Sequence, residues 1–73
     1  MRIRLIILLV SLLSVFPLCA QKEVRKNTRH GNKSYNKQKY EEAAKRYEEA
    51  IKINPKAMEA NFNLGNTFYK QKE

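Results

Sequence analysis

Cysteine, histidine, glycine and proline are all scarce in this chain of 73 residues, with one Cys, one His, two Gly and two Pro. The single cysteine, Cys19, sits at the end of an N-terminal apolar run. From Gln21 onward there is none, which excludes a disulfide, a thiolate metal site and a thiol nucleophile from that part. His30 stands alone, and metal binding and acid–base catalysis both need partner groups. Two glycines 34 residues apart cannot form a phosphate-cradling loop. There is no strand signal and no low-complexity tract. These absences leave no catalytic, cofactor-binding or metal residue to expect, and no small-molecule substrate.

What is present begins with a short basic start, Met1-Arg2-Ile3-Arg4. Leu5 through Phe16 is apolar except for Ser11 and Ser14, and Pro17-Leu18-Cys19-Ala20 leads into charged Gln21-Lys22-Glu23. That pattern predicts a secretory signal peptide over 1–20, cut after Ala20. Two rivals stay open. A transmembrane span wants about 20 apolar residues, more than Leu5 to Phe16 supplies. A lipid on Cys19 would want a small residue just before it, where Leu18 stands.

The chain carries 15 Lys and Arg against 7 Glu, a net charge of +8. Residues 21–73 keep 13 basic against 7 acidic residues, or +6. The excess is concentrated between Gln21 and Lys39, where Lys22, Arg25, Lys26, Arg29, Lys33, Lys37 and Lys39 face Glu23 alone. Nucleic acid is the usual partner of such a run, but export argues against it. An acidic partner, an anionic membrane surface or a plainly solvated face remain. A domain of this size is marginal, because it buries only about 60% of its unfolded surface.

Residues 21–29 read as a basic lead-in or the start of a weak first helix. Tyr40 to Ile53 is the clearest element. Tyr40, Ala43, Ala44, Tyr47, Ala50 and Ile51 recur at steps of three and four, a helical stripe. Glu41–Lys45, Glu42–Arg46 and Glu48–Lys52 are acid-before-base pairs four apart, each worth roughly 0.2–0.5 kcal/mol. Asn54-Pro55 stops this helix. Ala57 to Gln71 reads as another, with Ala60, Leu64, Phe68 and Tyr69 on its apolar side. A turn is expected near Lys37–Lys39.

Gly31 and Gly65 mark an internal repeat, in which Asn32 recurs as Asn66 and Tyr35 as Tyr69. A period of 34 is that of the tetratricopeptide repeat (TPR), a helical solenoid unit. Residues 24–55, with Gly31, Tyr40, Ala43, Tyr47, Ala50 and Pro55 in register, resemble one TPR. Residues 58–73, with Asn63-Leu64-Gly65-Asn66 and Phe68-Tyr69, resemble the first helix of a second, incomplete one. The expected fold is all-α: TPR-type antiparallel helix hairpins of an α-solenoid, about one and a half repeats, preceded by a signal peptide. The small residues let antiparallel helices approach closely, and Tyr40 and Tyr47 fill the space beside them. About three such units are needed for stability. The sequence is therefore expected to be a fragment or truncated product, with Phe62, Leu64, Phe68 and Tyr69 uncovered.

The resemblance departs at His30, where the second repeat has Leu64, and at Asn27, where the family prefers a large aromatic. The first helix is thus expected to be a polar capping helix. The resemblance also implies a peptide groove lined by first helices, with Thr28, Asn32, Tyr35, Phe62, Asn66 and Tyr69 facing it. Asn32 and Asn63 have the separation of the paired asparagines that grip a peptide carboxylate in some TPR proteins, while Thr28 stands where those proteins have a lysine. Asn32-Lys33-Ser34 is a glycosylation sequon, discounted because it falls within an expected helix.

Val24-Arg25-Lys26, Gly31-Asn32-Lys33-Ser34-Tyr35 and Asn61-Phe62-Asn63-Leu64-Gly65-Asn66 together resemble the opening of the exported TPR proteins of bacterial aerotolerance operons. That resemblance implies a non-enzymatic scaffold in the periplasm or envelope, with a protein or peptide ligand and membrane-bound partners. The alternatives are an adaptor anchored by an uncleaved signal or a lipid, and the leader of a larger enzyme.

Overall fold

The computed structural model describes the backbone of residues 2–73 and the side chains from residue 18 onward. The apolar run expected to act as a signal, 5–16, lies outside the residues described at side-chain level. Three helices account for the fold: α1 (Arg2–Asn36), α2 (Tyr40–Ile53) and α3 (Met58–Lys72). Among the described residues there is no strand, and no helix is long and apolar enough to cross a membrane. The lead-in at 21–29 is continuous helix within α1.

The first connection is a Schellman turn. Lys39 N–H donates to the Ser34 carbonyl at 2.9 Å and Gln38 N–H to the Tyr35 carbonyl at 2.9 Å, satisfying the last carbonyls of α1. Closing this turn puts Gln38 at φ +63°, a left-handed conformation that glycine adopts more cheaply. Lys39 then caps α2 without a side-chain hydrogen bond, while Glu41 and Glu42 in the first turn and Lys52 in the last complement the helix dipole.

The second connection is built by Asn54 and Pro55. Asn54 is extended, as the residue before a proline prefers, and its carbonyl accepts the Ala57 N–H at 3.0 Å. Its side-chain Oδ1 accepts the Lys56 N–H at 3.0 Å, an Asx turn. Asn61 ties the turn to α3 by donating from Nδ2 to the carbonyls of Pro55 (3.1 Å) and Ala57 (2.8 Å).

With connections this short, α1 folds back on α2 and α2 on α3, and α1 and α3 meet along one side. The core is Ala43, Tyr47, Ala50 and Ala60, with Val24, Tyr35, Ile51, Ala57 and Leu64 packed at its edge. Alanine at three of the four central positions brings the helices close enough for one tyrosine to fill the gap. Tyr40 joins from the turn, its ring edge-on to Tyr35 at 5.3 Å between centroids.

Several expected packing residues lie elsewhere. Gly65 is exposed, and a β-carbon there would meet nothing within 4 Å. Phe68 is exposed, as are Phe62 and Tyr69, in agreement with the expectation that they lie uncovered; the packed side of α3 is the one carrying Ala60, Leu64 and Thr67. Leu64, expected to be uncovered, is half-buried against the core. Pro55 is an exposed turn residue. The expected Glu48–Lys52 pair is replaced by Lys52–Glu49 at 3.9 Å, and among the described residues Glu41–Lys45 and Glu42–Arg46 do not close to ion-pair distance. Exposed pairs of this kind contribute a few tenths of a kcal/mol at most, so side-chain entropy decides between them.

Candidate functional site

The three helices border a polar, solvent-open cleft of about 310 Å³ lined by Asn32, Tyr35 and Asn36 from α1, Tyr47 from α2, and Asn63 and Asn66 from α3. Its position follows from the packing. Tyr47 is 1% exposed and projects from α2 toward Gly31 of α1. Only the absent side chain at Gly31 lets the ring pass, which carries the phenol oxygen to Asn32, one residue further along α1.

Asn32 is the hub of this site. Its Oδ1 accepts the Tyr47 hydroxyl at 2.6 Å and Asn63 Nδ2 at 2.9 Å. Its own Nδ2 donates to Glu59 Oε1 at 3.3 Å. One side chain of α1 thus joins α2 and two positions of α3. Both lone pairs of its carbonyl are occupied, so Asn32 holds its neighbours in place and has little left to offer a ligand. Burial pushes the Tyr47 hydroxyl above its ordinary pKa of 10.0; the Asn63 amide beside it pulls the other way, and the negative charge of Glu59 adds to the rise.

Asn36 and Asn66 differ from Asn32. Their side-chain amides line the same cavity and make no hydrogen bond to another described residue. Each offers a donor group and an acceptor in one plane, the pattern that a peptide backbone presents in return. The cavity lining carries no ionisable group except its two tyrosines. Among the described residues no group of three His, Cys or Glu side chains is placed to hold a metal.

The residues assigned to a groove by resemblance therefore divide. Asn32, Tyr35, Asn63 and Asn66 come together around one cavity. Thr28 does not: it is 5% exposed, and its hydroxyl donates to the Val24 carbonyl at 2.7 Å, back into its own helix. Phe62 and Tyr69 are 69% and 66% exposed and are not among the residues lining this cavity. Two contributors were absent from the sequence reading, Asn36 and Glu59. Asn36 sits one helical turn beyond Asn32, a spacing that marks a shared face. Glu59 has no comparable signal, since its contact depends on how α3 crosses α1.

A second cavity, of about 380 Å³, adjoins the first at Asn32 and is bounded by Arg25 and Arg29 of α1 and by Met58, Glu59 and Ala60 of α3.

Comparison with known proteins gives one family. The family model described as TPR repeat matches residues 31–72, more than half of the chain. No curated protein and no solved structure matches.

Proposed function

Since the chain belongs to the TPR repeat family, we propose that it is a non-enzymatic interaction scaffold that holds an extended peptide segment of a partner protein between α1 and α3. TPR units are interaction modules that bind proteins or peptides, and their surfaces do the work that a reaction centre does in an enzyme. The observation that carries the proposal is the pair of unpartnered amides, Asn36 and Asn66, facing one cavity beside Tyr35. An extended peptide has backbone donors and acceptors at regular spacing, and side-chain amides are matched to both. The Asn32–Tyr47–Asn63 network keeps the cavity wall rigid before the ligand arrives, which lowers the entropy cost of binding.

The working location is the bacterial envelope. The basic start and the apolar run at 5–16 support export with cleavage after Ala20. The sequence from Val24 to Tyr35 supports a place beside membrane-bound partners of the aerotolerance type.

Selection from a displayed peptide library tests the binding claim. Peptides that bind the chain should lose at least about tenfold in affinity to the Asn36→Ala, Asn66→Ala double variant, as expected when two ligand hydrogen bonds are removed. Equal affinity for chain and variant would place binding elsewhere.

A further inference from the structure

α1 presents two faces of opposite character. Val24, Thr28, Gly31, Ser34 and Tyr35 turn inward to the core. On the solvent side Lys22, Lys26 and Lys33, with Arg25 and Arg29 at its edge beside α3, are all exposed and recur at steps of three and four. At about 100° per residue these five cations fall within an arc of roughly 100°, and they extend along about 17 Å of helix. Among the described residues none of them is within ion-pair distance of a carboxylate.

The outer face of α2 is different, since Glu41, Glu42, Glu48 and Glu49 alternate there with Lys45, Arg46 and Lys52. A surface that needs only to be soluble can be mixed in this way. A stripe of one sign places like charges four residues apart at Lys22–Lys26, Arg25–Arg29 and Arg29–Lys33, which weakens the free helix. A negatively charged surface laid along the stripe would remove that repulsion.

The N-terminal end of the same face decides between kinds of anionic surface. Leu18 lies one turn before Lys22 on this side and is 64% exposed. An exposed leucine leading into a row of cations suits a lipid interface, where the apolar group enters the acyl boundary and the cations meet headgroups. An acidic polypeptide would meet the cations but leave Leu18 in water.

We propose that the solvent face of α1, from Lys22 to Lys33 and headed by Leu18 where residues 1–20 are retained, is a docking surface for a membrane rich in anionic phospholipid. The scaffold is thereby laid against the bilayer along α1, with Arg25 and Arg29 at the edge where α1 meets α3. The cations at 22–33 lie beyond the expected cleavage point, so the charged row remains whether or not residues 1–20 are removed, while Leu18 belongs to the surface only where they are retained.

The test is co-sedimentation of the full chain with vesicles of phosphatidylglycerol and phosphatidylcholine, compared with vesicles of phosphatidylcholine alone. The full chain should prefer the anionic vesicles by at least about tenfold, with the preference falling as salt is raised. Replacing Lys22, Arg25, Lys26, Arg29 and Lys33 together by Gln should abolish the preference while leaving helical circular dichroism in place. The salt titration of the unaltered chain reads the same electrostatics without any variant. Equal partitioning into both vesicle types, or a preference insensitive to salt, would overturn the proposal. So would binding to a polyglutamate peptide without binding to anionic vesicles, which would assign the stripe to an acidic protein instead.

Discussion

The ring of Tyr47 occupies the space that a side chain at residue 31 would need: a β-carbon on Gly31 would lie 2.5 Å from Cε1 and 2.7 Å from Cδ1 of that ring. Tyr47 cannot swing aside, because it is buried and its hydroxyl is bonded to Asn32. The glycine of the first repeat unit is therefore a steric requirement of the core.

Two alanine substitutions at equivalent repeat positions should have opposite signs. Gly31→Ala overpacks a tethered aromatic ring and should destabilise by about 1–3 kcal/mol, outweighing the gain of about 1 kcal/mol in helix propensity. Gly65→Ala meets open space and should keep that gain. Thermal unfolding of the two variants should bracket the unaltered chain, and a loss in both would mean that Gly65 is packed.

The asparagine hub predicts strong non-additivity. Asn32→Ala removes the acceptor of the Tyr47 hydroxyl and of Asn63, and should cost about 1–3 kcal/mol as a buried hydroxyl loses its partner. Once Tyr47→Phe has removed that hydroxyl, the same change should cost less. A double-mutant cycle in urea measures the difference, and simple additivity would show the two side chains to be uncoupled.

Gln38 is the position most open to improvement. Its φ of +63° is disfavoured for any residue with a β-carbon. Gln38→Gly should raise stability by about 0.5–1 kcal/mol, after allowance for the added freedom of the unfolded chain. An unchanged or lower unfolding midpoint would contradict the left-handed turn.

Alkaline pH should unfold the chain partly through Tyr47. Its pKa is raised in the folded state, chiefly by burial. The neutral phenol therefore contributes stability that is fully present below the unfolded value of 10.0 and is lost as pH rises through the folded value. Tyr47→Phe should flatten that alkaline loss relative to the unaltered chain when denaturation midpoints are compared across this range. Equal slopes would mean that Tyr47 ionises as freely as an exposed tyrosine.

The parts of the fold that were legible in the sequence were those set locally. α2 runs from Tyr40 to Ile53 as its apolar stripe and the following Asn54-Pro55 required, and the turn at 37–39 lies where apolar character is weakest. The continuity of α1 through 21–29 was less visible, because its buried side uses small and polar residues such as Thr28, Gly31 and Ser34. Thr28 was placed in the groove by register. A threonine can bond the carbonyl four residues back and enter a core, and nothing in its spacing shows this. The site was half legible: Asn32, Tyr35, Asn63 and Asn66 could be named, but Asn32 and Tyr47 looked like a ligand contact and a packing residue. Their hydrogen bond exists only because three helices converge, which no single-helix pattern contains.

The most direct test of the interaction reading is an NMR titration of the side-chain amide resonances with a peptide selected for binding. The account predicts that the amide groups of Asn36 and Asn66 shift progressively with added peptide, while the Asn32 amide, held by Glu59 within the hub, moves little. Unchanged Asn36 and Asn66 resonances under saturating peptide, with shifts confined to the exposed face of Phe62 and Tyr69, would contradict it.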